Sequence, residues 1–311
     1  MADRVRAVVF AYHNMGVIGL EALLRHGYDV ACVFSHADDP DENRWFASVA
    51  DWCEEHDIEV RLPEDVNEAQ WIEKGKALKP DFIFSFYYRK LLSQQWLDVP
   101  SRGAFNLHGS LLPDYRGCAP VNWAILRGET QTGVTLHHMI RQADAGDIVD
   151  QEAVPIARDD TALTLYAKLE DAARKLLDRT LPDIAEGTAP RIPQEESEAT
   201  YFGRRRPADG QIDWAQEAET IYNLVRAVTD PYPGAFTFLD GDQLTIWKAE
   251  TVRDTDLASG TLQVTEEGAR IGTGNGALRL IEISWRGERV EGAALTELLA
   301  AVSDHRVSTE P

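Results

Sequence analysis

Apolar residues in the first hundred positions fall into two alternating textures. "RVRAVVFAYH" is a short apolar run and reads as a strand. "NMGVIGLEALLRHGY" spaces its apolar residues at helical intervals and carries a glycine near its end, which predicts a helix. "DVACVFS" predicts a second strand, "RWFASVADWCEEHDI" a second helix, "EVRLP" a short strand and "EAQWIEKGKALKP" a third helix. "DFIFSFYY" is a continuous apolar run of strand length. Strands alternating with helices imply βαβ units and hence a mostly parallel sheet. Such sheets bind ligands outside the carboxyl ends of their strands.

"GAFNLHGS" breaks the apolar pattern where a ligand is expected. Residues i and i+2 of a strand point to one face, so Asn106 and His108 face the same region. Gly109 follows and permits close approach. The bland alternative is a core histidine bonded to backbone.

Further on, "APVNWAILRG" predicts a helix, "GVTLHHMI" a strand, and "DAGDIVDQEAVPI" a turn and another strand. "ALTLYAKLEDAARKLLDRTLPDIAEG" is the longest helical pattern. Near residue 190 the texture changes. "APRIPQEESEATYFGRRRPADG" is rich in Pro, Gly and charge and reads as a linker. Past it come a helix in "EAETIYNLVRAVT", a hairpin around Asp240–Gly241, short strands in "GTLQVTEEGARIGTGNGALRLIEI", and a polar tail, "DHRVSTEP". The prediction is an α/β protein: a Rossmann-like domain over 1–203, then a smaller β-rich domain over 204–305.

Composition narrows the chemistry. The 311 residues suit two domains. The formal net charge of −21 argues against a large nucleic-acid footprint, which wants a basic face. Three scattered cysteines with no CxxC argue against a disulfide framework or zinc site, and fit a reducing cytoplasm. The N-terminus carries no signal-peptide pattern, and no stretch approaches the roughly 20 apolar residues of a membrane span. The expectation is a cytoplasmic protein with no membrane partner.

Other motifs stay open at this level. "HNMGVIG" fits the last two glycines of a dinucleotide fingerprint at Gly16 and Gly19, but Asn14 replaces the first; a plain strand-to-helix turn explains it as well. Asp144 sits in an Asp-Ala-Gly turn, where it could cap its own backbone or reach His108 and favour the protonated ring. His13 could line the same crevice, and of His137 and His138 at most one faces inward. His26, His36, His56 and His305 read as surface positions. No H-x-x-x-H or H-E-x-x-H occurs, so no metal is expected. Ser110 lies outside any G-x-S-x-G. Arg204–Arg206 is a solvated linker or an anion-binding patch.

"FNLHGSLLPDYRG" with "GVTLHHMIRQADAGDIV" resembles the formyltransferase family that uses 10-formyltetrahydrofolate. Asn106, His108, Ser110 to Pro113, Asp144 and Gly146 match that family's motifs residue by residue. "VVFAYHNMG", "FIFSFYYRKLL", "GETQTGVTLHHM", "ATYFGRR" and "DPYPGAF" look most like the formyltransferase portion of bifunctional polymyxin-resistance enzymes, which act on UDP-4-amino-4-deoxy-L-arabinose in lipid A modification. The resemblance spans roughly residues 4 to 300 and does not take in the dehydrogenase-decarboxylase half of those enzymes, so the expectation includes a separate decarboxylase as a pathway partner.

The resemblance implies a barrel-like second domain and acyl transfer to a nucleotide-linked amino sugar. It implies Asn106 as oxyanion donor, His108 as proton shuttle and Asp144 as the group that orients it. It implies a folate site at Lys90, Leu91 and Leu92 and at Ile140, Arg141, Gln142, Ala143 and Asp144, with Met15 and Phe86 to Tyr88 lining the pocket. Cys118 falls where the similar enzymes carry an arginine implicated in folate binding. Both substrates are anionic, which makes Arg116, Arg204, Arg205 and Arg206 candidate contacts. Three rivals share parts of this reading. They are a methionyl-tRNA formyltransferase, a formyltetrahydrofolate hydrolase and a non-enzymatic nucleotide-binding module. Gly109, where tRNA formyltransferases usually carry Pro, and the acidic charge weigh against the first.

Overall fold

The computed structural model describes residues 5–40, 42–253, 255–302 and 305–310. The first half runs β1 (Arg6–Ala11), α1 (His13–Arg25), β2 (Asp29–Phe34), α2 (Val49–Glu55), β3 (Val60–Arg61), α3 (Ala69–Leu78), β4 (Phe82–Phe86), α4 (Gln94–Leu97) and β5 (Gly103–His108). Then come β6 (Arg116–Gly117), α5 (Pro120–Leu126), β7 (Gln131–His138), β8 (Ile148–Pro155), α6 (Ala162–Glu186) and β9 (Tyr201–Phe202). The remainder is α7 (Ala218–Val228), β10 (Ala235–Leu239), β11 (Asp242–Val252), β12 (Leu262–Thr265), β13 (Gly268–Gly272), β14 (Ala277–Trp285), β15 (Glu288–Glu291) and α8 (Gly292–Ala300).

The chain divides into two compact units. The first holds Met1–Pro120, Gln131–Pro155 and Tyr166–Gly203; the second holds Val121–Thr130, Ile156–Leu165 and Arg204–Pro311.

In the first unit one seven-stranded sheet has the order β3-β2-β1-β4-β5-β7-β8. The first five strands are parallel, while β7 and β8 run antiparallel at one side. The order reverses between β1 and β4, the Rossmann-like switch point where a crevice opens at the strand ends. Central β4 is buried at every position, which explains its unbroken apolar sequence. Phe10, Phe34 and Trp96 fill the core on one side of the sheet. The Phe10 and Trp96 rings meet edge-to-face at 4.9 Å, and Trp96 Nε1 donates to Val66 O at 2.8 Å. Each such buried side chain contributes about 1.5–3 kcal/mol, and together they make the strand ends a rigid base for the site.

The segment after residue 190, expected to be a linker, is fastened to the first unit. Ile192 bridges Ile148, and β9 pairs in parallel with β6 through Arg116↔Tyr201 and Gly117↔Phe202. Its polar composition reflects side chains spent on local bonds rather than on solvent.

The second unit is built on a separate antiparallel sheet of order β10-β11-β14-β13-β12, with β15 on β14. The expected hairpin joins β10 to β11, with Asp240 at φ 52° and Gly241 at φ 82°, the conformation of a type I′ turn. Helix α8 was not anticipated from the sequence pattern. In the tail read as "DHRVSTEP", Arg306 bridges Thr261 and Ser308 bridges Phe238, so it pairs with the sheet; Asp304 and Pro311 lie outside the described residues. Among the described residues no helix is long and apolar enough to cross a membrane.

Candidate active site

Four side chains converge at the carboxyl end of β5. Asn106 and His108 share a strand face and both reach Asp144. Asn106 Nδ2 lies 3.4 Å and His108 Nδ1 lies 3.5 Å from Asp144 Oδ1. The fourth is His137, directly opposite Asn106 in the antiparallel β5–β7 register. Its Nε2 is 3.1 Å from Asn106 Nδ2 and 3.6 Å from Asp144 Oδ1. Its Nδ1 faces His138 O at 2.9 Å. A carbonyl only accepts, so Nδ1 carries the proton. The lone pair on Nε2 is then free to accept from the Asn106 amide.

His108 is 6 % exposed. Its Nε2 faces Tyr115 O at 2.8 Å, so both ring nitrogens look at oxygen acceptors. Asp144 Oδ2 accepts from Gly117 N at 2.9 Å. Burial pushes the Asp144 carboxyl up. Against it, the charge of His108 and the Gly117 N–H pull the carboxyl down, and it is held well below the usual carboxylate range. Asp144 is therefore a fixed anion between two imidazoles and an amide.

Local backbone sets this geometry. Asp144 sits at φ 55°, a left-handed conformation that Asp tolerates better than most residues. A Cβ at Gly146 would fall 1.8 Å from His138 O, so the turn can close only on glycine. Thr135 saturates its hydroxyl on the loop after β5: it donates to Ser110 O at 2.6 Å and accepts from Leu112 N and Gln151 Nε2. A Cβ at Gly109 would meet Tyr87 Oη at 2.5 Å, so the glycine makes room for that hydroxyl.

The expected folate-binding positions divide. Lys90 and Leu91 are exposed on the loop after β4, as are Ile140, Arg141 and Gln142 on the loop after β7; Ala143 is half-buried beside them. Gln142 Nε2 donates to Tyr201 Oη at 2.7 Å. The Leu92 and Met15 side chains are both buried, Leu92 in the apolar core with Phe10 and Trp96, so apolar packing claims them. Phe86 is likewise fully buried. Tyr88 is half-buried, stacks on His36 at 4.2 Å, and its buried Oη has no hydrogen-bond partner among the described residues. Cys118 is half-buried with its N–H donated to Phe202 O.

The expected anion contacts divide too. Arg116 is fully buried and committed to Gln194, Glu196 and Tyr201, so it presents no guanidinium to a ligand. Arg204 and Arg206 are exposed, while Arg205 lies 5.0 Å over the Trp123 ring and donates to Asp209 O. These arginines belong to the second unit, as does a groove of about 270 Å³ that Trp123, Arg127 and Arg205 help to line; no member of the Asn106–Asp144 cluster lines it.

His13 is buried against Phe46 and Trp45 and bonded to Tyr166 Oη at 2.6 Å, so it serves an aromatic cluster rather than an open crevice. Burial, helped by Arg89, lowers its pKa to about 3. Asn14, in the place of the first fingerprint glycine, bridges Glu170 Oε1 and Ala47 N, a structural role. Sequence reasoning missed His137 as a site member. Adjacent histidines flagged the strand, but only the β5–β7 register selects His137.

A mostly parallel sheet with a polar cluster at its strand ends, followed by a separate antiparallel sheet, defines a two-domain α/β protein with this site in its first unit. Residues 6–181 match the formyl transferase family and residues 205–296 match the formyl transferase C-terminal domain. The chain belongs to the formyl transferase family and is a formyltransferase enzyme. Solved structures share its fold. An N-formyltransferase from Helicobacter canadensis, in complex with folinic acid and dTDP-3-aminofucose, is 22% identical with a TM-score of 0.70, covering 89% of this chain and 99% of that one. The sugar 3N-formyl transferase WlaRD, with dTDP and 5-N-formyl-THF, is 19% identical with a TM-score of 0.71, covering 92% and 100%. HypX from Aquifex aeolicus, in complex with tetrahydrofolic acid, is 20% identical with a TM-score of 0.64, covering 97% of this chain and 49% of HypX.

Proposed function

We propose that this chain transfers the formyl group of 10-formyltetrahydrofolate to the amine of a nucleotide-linked amino sugar. UDP-4-amino-4-deoxy-L-arabinose is the first acceptor to test, which would place the enzyme in lipid A modification and polymyxin resistance. The observation that carries the reading is the Asp144 carboxylate held beside His108 and the Asn106 amide at a strand end. The family supplies formyl chemistry, and the similar structures hold folates together with dTDP-3-aminofucose in one and dTDP in the other.

In this reaction a C–N bond forms between amine and formyl carbon, and the bond from the formyl carbon to the folate nitrogen breaks. The amine gives up a proton and the folate nitrogen takes one. His108 is the proton carrier, exchanging its bond to Tyr115 O for one to the amine when substrate is in place. Such transfer contributes roughly 10²–10⁴-fold. Asn106 steadies the negative charge that develops on the formyl oxygen. Its longer contact, the 3.4 Å one to Asp144, is the N–H it can give up. Such a donor is worth about 10²–10³-fold in rate. Asp144 stays ionised and holds His108. Lys90 and Arg141 are exposed cations on the two loops assigned to folate and are candidates for its carboxylates.

Mass spectrometry tests the reading. The protein is incubated with 10-formyltetrahydrofolate and, in turn, UDP- and dTDP-linked amino sugars, initiator methionyl-tRNA, or water alone. One formyl group gained by a nucleotide sugar supports it. Formylation of the tRNA, or folate deformylation with no acceptor, overturns it.

A further inference from the structure

We infer that Gln194 is a positioning residue for Asp144, set in its orientation by the buried guanidinium of Arg116. The inference rests on the role given above to Asp144. Gln194 lies in the segment whose composition suggested a linker. Its Nε2 donates to two carbonyls of the Asp144 turn, Asp144 O at 2.9 Å and Gly146 O at 2.7 Å. Both amide hydrogens are thereby used. Its Oε1 accepts from Arg116 Nε at 3.1 Å and from Nη2 at 2.8 Å. A flipped amide would set its oxygen against two carbonyls and its NH₂ against a cation. Arg116 therefore fixes which end of the amide meets the turn.

Arg116 can do this because it is itself immobilised. Its side chain is completely buried, its N–H donates to Thr200 O at 2.9 Å, and it pairs with Tyr201 across β6 and β9. The next residue, Gly117, donates its N–H to the Asp144 carboxylate. One two-residue strand thus grips Asp144 from two sides, at Oδ2 directly and at the backbone through Gln194. The same segment reaches the other partner of the pair. Thr200 Oγ1 accepts from Tyr115 N at 2.8 Å, and Tyr115 O is the acceptor facing His108 Nε2. The left-handed backbone of Asp144 needs such support, because non-glycine residues there cost energy and persist only when their surroundings hold them. Without Gln194 the turn keeps Gly117 N but loses both backbone anchors. The carboxylate then wanders from His108, and small misplacements of reacting groups can cost on the order of 10²-fold.

Three variants test this in the full chain: Gln194→Ala, Gln194→Glu, and Gln194→Ala combined with Asp144→Asn. Gln194 is half-buried, and the glutamate variant keeps its size and its acceptor for Arg116 while losing the donors to the turn. The expected result is a kcat about 10- to 100-fold below wild type for both single variants, with the KM for the amine nearly unchanged. In the Asp144→Asn background the alanine change should have little further effect, because Gln194 acts through Asp144. Ring ¹⁵N shifts of His108, read without substrate, should move in the single variants. A kcat at the wild-type level, an equal fold-loss in the Asp144→Asn background, or unmoved His108 shifts would overturn the inference. Should the wild-type protein formylate no amino sugar, the functional reading fails separately, and the His108 shifts still decide the positioning role.

Discussion

His137 Nε2 stands 3.1 Å from Asn106 Nδ2, across an antiparallel pair that places the two residues directly opposite. The imidazole, protonated at Nδ1 toward His138 O, offers a lone pair that can satisfy only the NH₂ end of the amide. His137 therefore holds the NH₂ end of Asn106 on the Asp144 side, the end whose N–H can turn to the formyl oxygen.

Replacing His137 with phenylalanine keeps the ring volume and removes the acceptor. We expect kcat to fall by about 10-fold or more, in line with loss of an aligned oxyanion donor. His137→Gln, which can restore an acceptor, should fall less. Steady-state kinetics alongside thermal unfolding check this; equal losses for both variants would contradict it.

Asp144→Asn should lower kcat by about 10²-fold or more, since His108 then lacks its charged partner. It should also change acid stability in a defined direction. The folded-state pKa of Asp144 is depressed by His108 and Gly117 despite burial, so the unfolded chain binds more protons in the acid range. Its contribution is present above the unfolded value of about 3.9 and is lost as pH falls further toward the folded value. Melting temperatures should therefore drop less steeply below pH 4 in the asparagine variant than in wild type.

His13 gives a second pH signature with a different window. Burial holds its pKa at about 3, below the ordinary histidine value of about 6.5. The unfolded chain then binds the extra proton throughout that interval, so stability falls as pH drops from about 6.5 to about 3. His13→Asn removes the titrating group, and Asn accepts the left-handed backbone at φ 67°. Its melting temperature should depend less on pH between 6.5 and 3, even where it starts lower through loss of the Tyr166 bond. An unchanged slope would place the acid sensitivity elsewhere.

The pattern of apolar and polar positions by itself determined the alternating strands and helices of the first unit, the hairpin at Asp240–Gly241, and the shared face of Asn106 and His108 at a strand's carboxyl end. Those features follow from periods of two and 3.6 residues and from turn chemistry, which act between near neighbours in the chain. The family motif around Asn106 and Asp144 was legible for the same reason: it is written in short contiguous segments. What only the tertiary structure decided depends on partners far along the chain. The β5–β7 register chose His137 over His138, and neither strand's own sequence encodes that alignment. Arg116 looked like a charge for a ligand because its partners Gln194, Glu196 and Tyr201 lie about eighty residues away; burial among them turned it into an internal anchor. Leu92 and Met15 were drawn into the core by packing that a motif does not report. The polar segment after residue 190 reads as a linker for want of apolar residues. It is ordered by hydrogen bonds to the Asp144 and Tyr115 loops, a stabilisation that leaves almost no trace in hydropathy.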